Sequence, residues 1–401
     1  MHVVSARLLK VAGALSVGSL GVLSGSSALV GAAPPGGPSA TATSVVHVTQ
    51  ILSGASLHHA FMPPGTTTTR SESLSDPDDI SRLGDDLFVG FQNGVGPQGQ
   101  PSTDGNLDST VVELTLNGTP VSQWDITGKA DGVTADPATG LVVATVNEDA
   151  NSALYTINPA RGPAGVKRYA YNEPLPHGGG TDAISFYRGE MFISASAPGT
   201  TGAPAPQPTY PAVYSVTLDP STLVATVTPL FNDEDPAIIA NVNSSQHRQQ
   251  VNLALTDPDS NEVVPPSAPR FGGDFMLTSQ GDQEQIFVRD AGGPHQRLHV
   301  LTLSQSVDDT AWATGYGGRL YSTDSTNDAV DVVTGPFRTG QVLTVATPCG
   351  SNSAPAACPS LPMFPANYLA TLNPWTGQVA AVTTTGAPYV PQGGLAFVAN
   401  S

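Results

Sequence analysis

The stretch DGVTADPATGLVVATVNEDANSALYTINP, Asp131 to Pro159, decides the fold. It opens on an acid and a glycine, gives a short apolar burst, turns at Asp136-Pro137, and then gives two further apolar bursts. Short runs rich in β-branched and aromatic residues, bounded by Gly, Pro, Asn and Asp, read as strands. The stretch is most of one four-stranded antiparallel unit.

Working outward, the unit recurs. PDDISRLGDDLFVGF begins at Pro77, ADGVTADPATGLVVATV at Ala130, TDAISFYRGEMFISA at Thr181 and VDDTAWATGYGGRLYST at Val307. The first two intervals are 53 and 51 residues. NLALTDP from Asn252, with GGDFMLTS from Gly272, is a looser copy, and QGGLAFV from Gln392 is a sixth start. Two more strand-like runs follow the earlier copies, such as ALYTINP and GVKRYAY after Ala130. Four strands at roughly 50-residue spacing match the blade of a β-propeller. One such unit cannot bury both faces; a ring lets each unit cover its neighbours. The chain is expected to be all-β, a six-bladed propeller closed by its N- and C-terminal strands, with Val45 to Ile51 clasping the last blade. The pair NYLATLNP and GQVAAVTT leaves seven blades as the rival count. A pair of β-sandwiches is the alternative architecture, and it gives no cause for the repeated Asp-led start.

Composition agrees. The 401 residues include 42 Gly and 36 Pro, and only 12% are charged, which suits many short elements joined by turns. Residues 1–32 read as a secretory signal: Arg7 and Lys10, an apolar run from Val11 to Val30, and Val30-Gly31-Ala32 as cleavage site. An uncleaved membrane anchor is the alternative. Residues 33–43 read as a flexible linker and 44–401 as the propeller domain. No other stretch approaches membrane-spanning length. The expected product is an extracellular monomer with no transmembrane span once the signal is cleaved. Loss of Arg7 and Lys10 would take the formal charge from −18 to about −20, which excludes nucleic acid as a partner and favours cations. In an oxidising compartment Cys349 and Cys358 of CGSNSAPAAC are expected to form a local disulfide, with two free thiols as the alternative.

The candidate chemistry lies where the inner strands begin. Their starts offer Asp78 or Asp79, Asp131, Asp182, Asn252, and Asp308 or Asp309. In a propeller these would meet near one mouth of the central tunnel, where like charges raise one another's pKa unless a cation intervenes. Asp79, Asp131, Asp182, Asn252 and Asp309 are the candidate calcium ligands, since calcium takes several oxygens. Turn capping by aspartate is the competing reading. His177 in PHGGGTD, five residues before Asp182, is the candidate base or ligand, against an exposed loop histidine. His58 and His59 point to opposite faces of any strand. NEDAN (Asn147 to Asn151) and STDSTND (Ser322 to Asp328) read as solvated hairpin turns. No serine-hydrolase elbow, dinucleotide or phosphate-loop pattern occurs.

The Asp-led strands at Asp131-Gly132-Val133 and Asp182-Ala183-Ile184, with LVVATV, RLYSTDSTNDAVDVV and the terminal PQGGLAFV, resemble blades of secreted bacterial propellers of the NHL, YncE and SMP-30/gluconolactonase-like group. The resemblance spans roughly Val45 to Val398 and implies fold more than function. It implies, for an enzyme of gluconolactonase type, a divalent metal held in the tunnel by Glu, Asn and Asp. The leading Glu of that type has no counterpart here. The expected function is binding or scaffolding through the acidic mouth, for a small molecule, a cell-wall component or a protein. The alternatives are a calcium-dependent lactonase-type hydrolase at the same mouth, and a structural exoprotein with a plugged tunnel.

Overall fold

A computed structural model describes residues 45–176, 179–196, 209–347, 367–384 and 389–400. The signal and linker readings, His177, Cys349 and Cys358 lie outside the described residues. Described residues form strands joined by turns and two short 3₁₀ segments, Gly54–Ser56 and Pro159–Gly165. No helix among them is long and apolar enough to cross a membrane.

The strands group into six four-stranded antiparallel units. The first comprises Pro77–Leu83, Asp86–Phe91, Asp108–Thr115 and Pro120–Thr127. The second comprises Ala130–Asp136, Leu141–Val146, Ala153–Ile157 and Val166–Tyr171. The third comprises Ile184–Tyr187, Glu190–Ser194, Pro211–Asp219 and Val224–Asn232. It joins the second in one eight-stranded sheet through a short parallel pairing of Ala170 and Tyr171 with Val224 and Ala225. The fourth comprises Pro258–Val263, Phe275–Ser279, Glu284–Arg289 and Arg297–Thr302, with Pro236–Ile239 and Gln250–Asn252 added at its outer edge.

The last two units exchange chain segments. Val307–Trp312 pairs with Val342–Ala346, followed by Tyr368–Leu372 and Val379–Ala381. Arg319–Asp324 instead pairs with Leu395–Val398 on one side and Ala329–Thr334 on the other, and His47–Ser53 closes the outer edge. This corrects the expectation that RLYST is the second strand of the Val307 copy. It also assigns NYLATL and GQVAAV to the fifth unit. Leu320–Asp324 and Val342–Ala346 are both five-residue runs buried throughout, and the turn after Trp312 leads to the nearer of them in sequence, so Arg319–Asp324 is the natural but wrong choice of partner. The N-terminal strand lies where the clasp reading put it, in the sheet that holds the chain's last strand.

Burial follows position within a unit. Leu141–Val146 is buried almost throughout because both faces are covered. Pro120–Thr127, at an outer edge, buries only Trp124 and Ile126 and exposes most of the rest. The core is six apolar clusters, each between neighbours: Phe88 and Val111 meet Val142 and Ala144, and Val143 and Leu154 meet Ile193 and Tyr214. Phe192 and Val213 meet Phe275 and Leu277, and Met276 and Phe287 meet Val342 and Ala370. Leu343 and Val345 meet Leu320 and Val333, and Tyr321 and Val330 meet Leu87 and Val89. The sixth unit thus packs on the first, and the arrangement is radial and propeller-like. Neighbouring units approach closely at Gly132, where a Cβ would lie 2.7 Å from the Asp182 carbonyl oxygen and 2.9 Å from Ala183 Cα.

Candidate functional site

The first strands of all six units line one cavity of about 410 Å³. A β-bulge interrupts these strands at the acidic pairs. Register shifts fall between Pro77 and Ile80, Ala130 and Val133, Pro258 and Asn261, and Val307 and Thr310. In the third unit Ser194 likewise bonds both Asp182 and Ala183. A bulge sets two residues against one and re-aims side chains. It brings Asp78 and Asp79, and Asp308 and Asp309, to the same cavity wall.

Hydrogen bonds knit these strands to one another. Asp79 Oδ2 accepts Val133 N–H at 2.6 Å, and Thr134 Oγ1 donates to Ile184 O at 2.6 Å. Asn261 Nδ2 donates to Ala183 O at 2.7 Å, and Ser260 Oγ to Asp308 O at 2.7 Å. Asp309 Oδ2 accepts Leu395 N–H at 2.6 Å, and Gly394 N–H donates to Asp78 O at 2.6 Å.

The sequence-predicted residues divide. Asp79 and Asp309 are taken up by capping: besides the bonds between units, each accepts the N–H of the next residue at 2.7 Å. Asp131 is buried; its Oδ1 meets Lys129 Nζ at 3.1 Å and Gln92 Nε2 at 3.2 Å, while Oδ2 has no hydrogen-bond partner. Asp182 lines the cavity. Asn252 does not: it is exposed in Gln250–Asn252, at the outer edge of the fourth unit. The five therefore do not form one calcium-ligand set, and no group of three acids or histidines among the described residues is arranged to hold a metal. The fourth unit's true counterpart is Asp259. The sequence signal for it was Pro258-Asp259-Ser260, parallel to Pro77-Asp78-Asp79. NLAL drew the assignment away because Leu253 and Leu255 are buried core residues.

Three further residues were not singled out. Lys129 ion-pairs with Asp131 and with Glu148 of the NEDAN turn, so that turn belongs to the mouth and is not merely solvated. STDSTND is likewise buried at Ser322, Thr323 and Asp324. Glu262 and the buried Trp312 both line the cavity, and the Trp312 indole interacts with the Glu262 carboxylate. His59 is buried against Glu72, away from the cavity, and His58 is exposed.

The cavity holds more acid than it can ionise. Burial, then the charge of Asp309, pushes Asp79 up to about 7. Asp78 and Asp309 are also raised to about 7, burial again leading. Asp182, Asp259 and Asp308 stand well above the carboxylate range, by burial first and then mutual repulsion: Asp259 acts on Asp182, and Asp308 on Asp259. Burial and then Asp309 raise Glu262. Burial opposes the charge of Lys129, but Asp131 and Glu148 outweigh it and its pKa is raised. Among the described residues, no hydrogen bond reaches the carboxylates of Asp182, Asp259 or Asp308. The arrangement can hold a positive charge and has unspent acceptors for it.

No family model and no curated protein matches this chain. Solved structures do. A periplasmic gluconolactonase of Pseudomonas aeruginosa is similar at 14% identity and a TM-score of 0.39, over 88% of this chain and 99% of its own. A protein of unknown function from Bacteroides caccae is similar at 10% identity and 0.41, over 85% and 98%. A luciferin-regenerating enzyme is similar at 14% identity and 0.35, over 68% and 83%. The likeness is one of general architecture, and no activity is carried from it.

Proposed function

We propose that this chain is an exported six-bladed β-propeller that works as an extracellular binding protein through the acidic mouth of its central cavity. Six four-stranded units and six intervening apolar clusters support the blade count. The leader-like residues 1–32 support export. The observation that carries the binding reading is that Asp182, Asp259 and Asp308 line one cavity with carboxylates that no hydrogen bond from the described residues satisfies. A formal charge of −18 would steer cationic ligands toward such a mouth. The ligand is a small molecule, a cell-wall component or a protein segment bearing positive charge.

The test is the melting temperature of the mature protein with calcium, spermine and polylysine against neutral and anionic controls. Stabilisation by a cation that is lost in Asp259→Asn/Asp308→Asn supports the reading. Indifference to every cation overturns it. A calcium-dependent lactonase-type hydrolase is the alternative at the same mouth, favoured only by the cavity's acids. Chelator-sensitive lactone hydrolysis would establish it.

A further inference from the structure

The six first strands are not equivalent, and their differences single out one sector of the cavity. In the first two units most polar groups have partners. Lys129 and Gln92 hold Asp131 by its Oδ1, Ser81 Oγ accepts Ala135 N–H at 3.0 Å, and Thr134 Oγ1 donates to Ile184 O; Asp131 Oδ2 stays open beside the Lys129 charge. The sixth unit brings only Gly393, Gly394 and apolar residues to the wall. Most of the unspent capacity among the described residues lies in the third, fourth and fifth units, at two levels.

At the mouth are Asp182, Asp259 and Asp308. Three positions further along the same strands, Ser185 and Glu262 line the wall. Ser185 is 6% exposed and its Oγ has no partner; Asn261 is 7% exposed and its Oδ1 has none. Glu262 also lines this wall, with the Trp312 indole as its neighbour. Buried polar atoms left without a partner are costly unless a ligand or water meets them. Three strand residues advance at most about 10 Å, and less across a bulge. That distance suits an amine and a hydroxyl on opposite sides of one sugar ring, each with a hydrogen bond of roughly 2.8 Å.

We propose that this sector binds a hydroxylated primary ammonium compound of about one sugar ring, an amino sugar or aminopolyol. Its ammonium sits among Asp182, Asp259 and Asp308, and its hydroxyls meet Ser185, Asn261 and Glu262. The proposal rests on the reading of the mouth as a cation-binding surface and names its ligand class. A metal ion fits less well: calcium needs six to eight oxygens at about 2.3–2.6 Å from one point, and these acids stand on three separate strands. An ammonium has three donors that reach separate acceptors. At about 410 Å³ the cavity is at the small end of ligand pockets, roughly 300–1,000 Å³, and admits a monosaccharide-sized molecule.

The experiment is titration calorimetry of the mature full chain with glucosamine, glucose, N-acetylglucosamine, methylamine, calcium chloride and polylysine. Glucosamine is expected to bind at least tenfold more tightly than glucose or N-acetylglucosamine, and more tightly than methylamine. Binding should release protons, seen as a buffer-dependent enthalpy, and weaken as the pH is lowered from 7.5 to 5.5. Ser185→Ala should cut glucosamine affinity severalfold and leave methylamine unchanged; Asp259→Asn should weaken both. Equal binding of glucosamine and glucose overturns the proposal. Binding of calcium or polylysine with glucosamine silent also overturns it while sparing the cationic mouth. Silence of all probes overturns both. The ligand series on the unaltered protein decides the matter even if a variant fails to fold.

Discussion

Asp79 accepts the backbone N–H of Val133 at 2.6 Å, so a carboxylate of the first unit holds the first strand of the second. Asp309 does the same for Leu395, between the fifth unit and the sixth. The bulge that aims these acids at the cavity also lets them staple neighbours. Capping and site-building, which compete in the sequence, divide between adjacent residues: Asp79 and Asp309 cap, while Asp182, Asp259 and Asp308 remain open.

Asp79→Ala leaves the amides of Val133 and Ile80 without their acceptor. An unsatisfied buried donor costs about 1–3 kcal/mol, so the denaturation midpoint should fall by that order. Asp79→Asn keeps one acceptor oxygen and should lose less. An unchanged midpoint in the alanine variant would show that the staple contributes nothing.

The cavity acids make stability fall with rising pH. Asp78, Asp79 and Asp309 are raised to about 7, chiefly by burial, against unfolded values near about 4. A raised folded pKa gives stability that is full below the unfolded value and is lost as pH climbs through the folded one. The loss should run from about pH 4 to about pH 7–8. Asp308→Asn cannot ionise, so at pH 8 it should be more stable than the native chain, and near pH 4 equal to it. Urea titrations of both chains at the two pH values measure the difference. A variant less stable at pH 8 would mean the ring is already neutralised.

Lys129 Nζ meets Asp131 at 3.1 Å and also pairs with Glu148, with the lysine side chain 17% and that of Asp131 4% exposed. Removing one partner of a buried pair typically costs about 3–5 kcal/mol because the other charge is stranded. Lys129→Met should cost more at pH 8 than at pH 5, because burial raises the Asp131 pKa and loss of the lysine charge raises it further, so the stranded carboxyl is relieved as the pH falls. Lys129→Met/Asp131→Asn should recover much of it. Thermal melts at both pH values test the pattern, and equal loss at pH 5 and pH 8 would rule out stranded charge as the cause.

Much of this was legible in the sequence, for physical reasons. LVVATV is a run that only a strand covered on both faces tolerates, and Asp131 and Asp182 open their strands as the repeat predicts. Strand partners were less legible. Arg319–Asp324 and Val342–Ala346 are both buried strands downstream of Val307–Trp312, and only packing selects which lies on it. The fourth unit is hard to read because Leu253 and Leu255, just after the added edge strand Gln250–Asn252, are core residues and imitate a strand start ahead of Asp259. Glu262 looks like any polar residue on a strand; its burial exists only once six strands converge.

His59 joins the ribbon of His58–Phe61 and Arg70–Ser73 to the first unit. It is 3% exposed, with Nε2 at 3.0 Å from Glu72 and Nδ1 at 3.5 Å from Asp125, which lies on that unit's outer strand. Burial opposes its charge, but Asp125 and Glu72 prevail and its pKa is raised. Its contribution is full below the unfolded value of about 6.5 and is lost as pH rises through the higher folded one. His59→Gln should therefore cost more at pH 6 than at pH 9. The imidazole resonances should also titrate above the unfolded value in nuclear magnetic resonance. A folded pKa below 6.5 would mean that burial outweighs the two carboxylates, and the ribbon would then be held by its strand pairing and the stacking of His59 on Phe61.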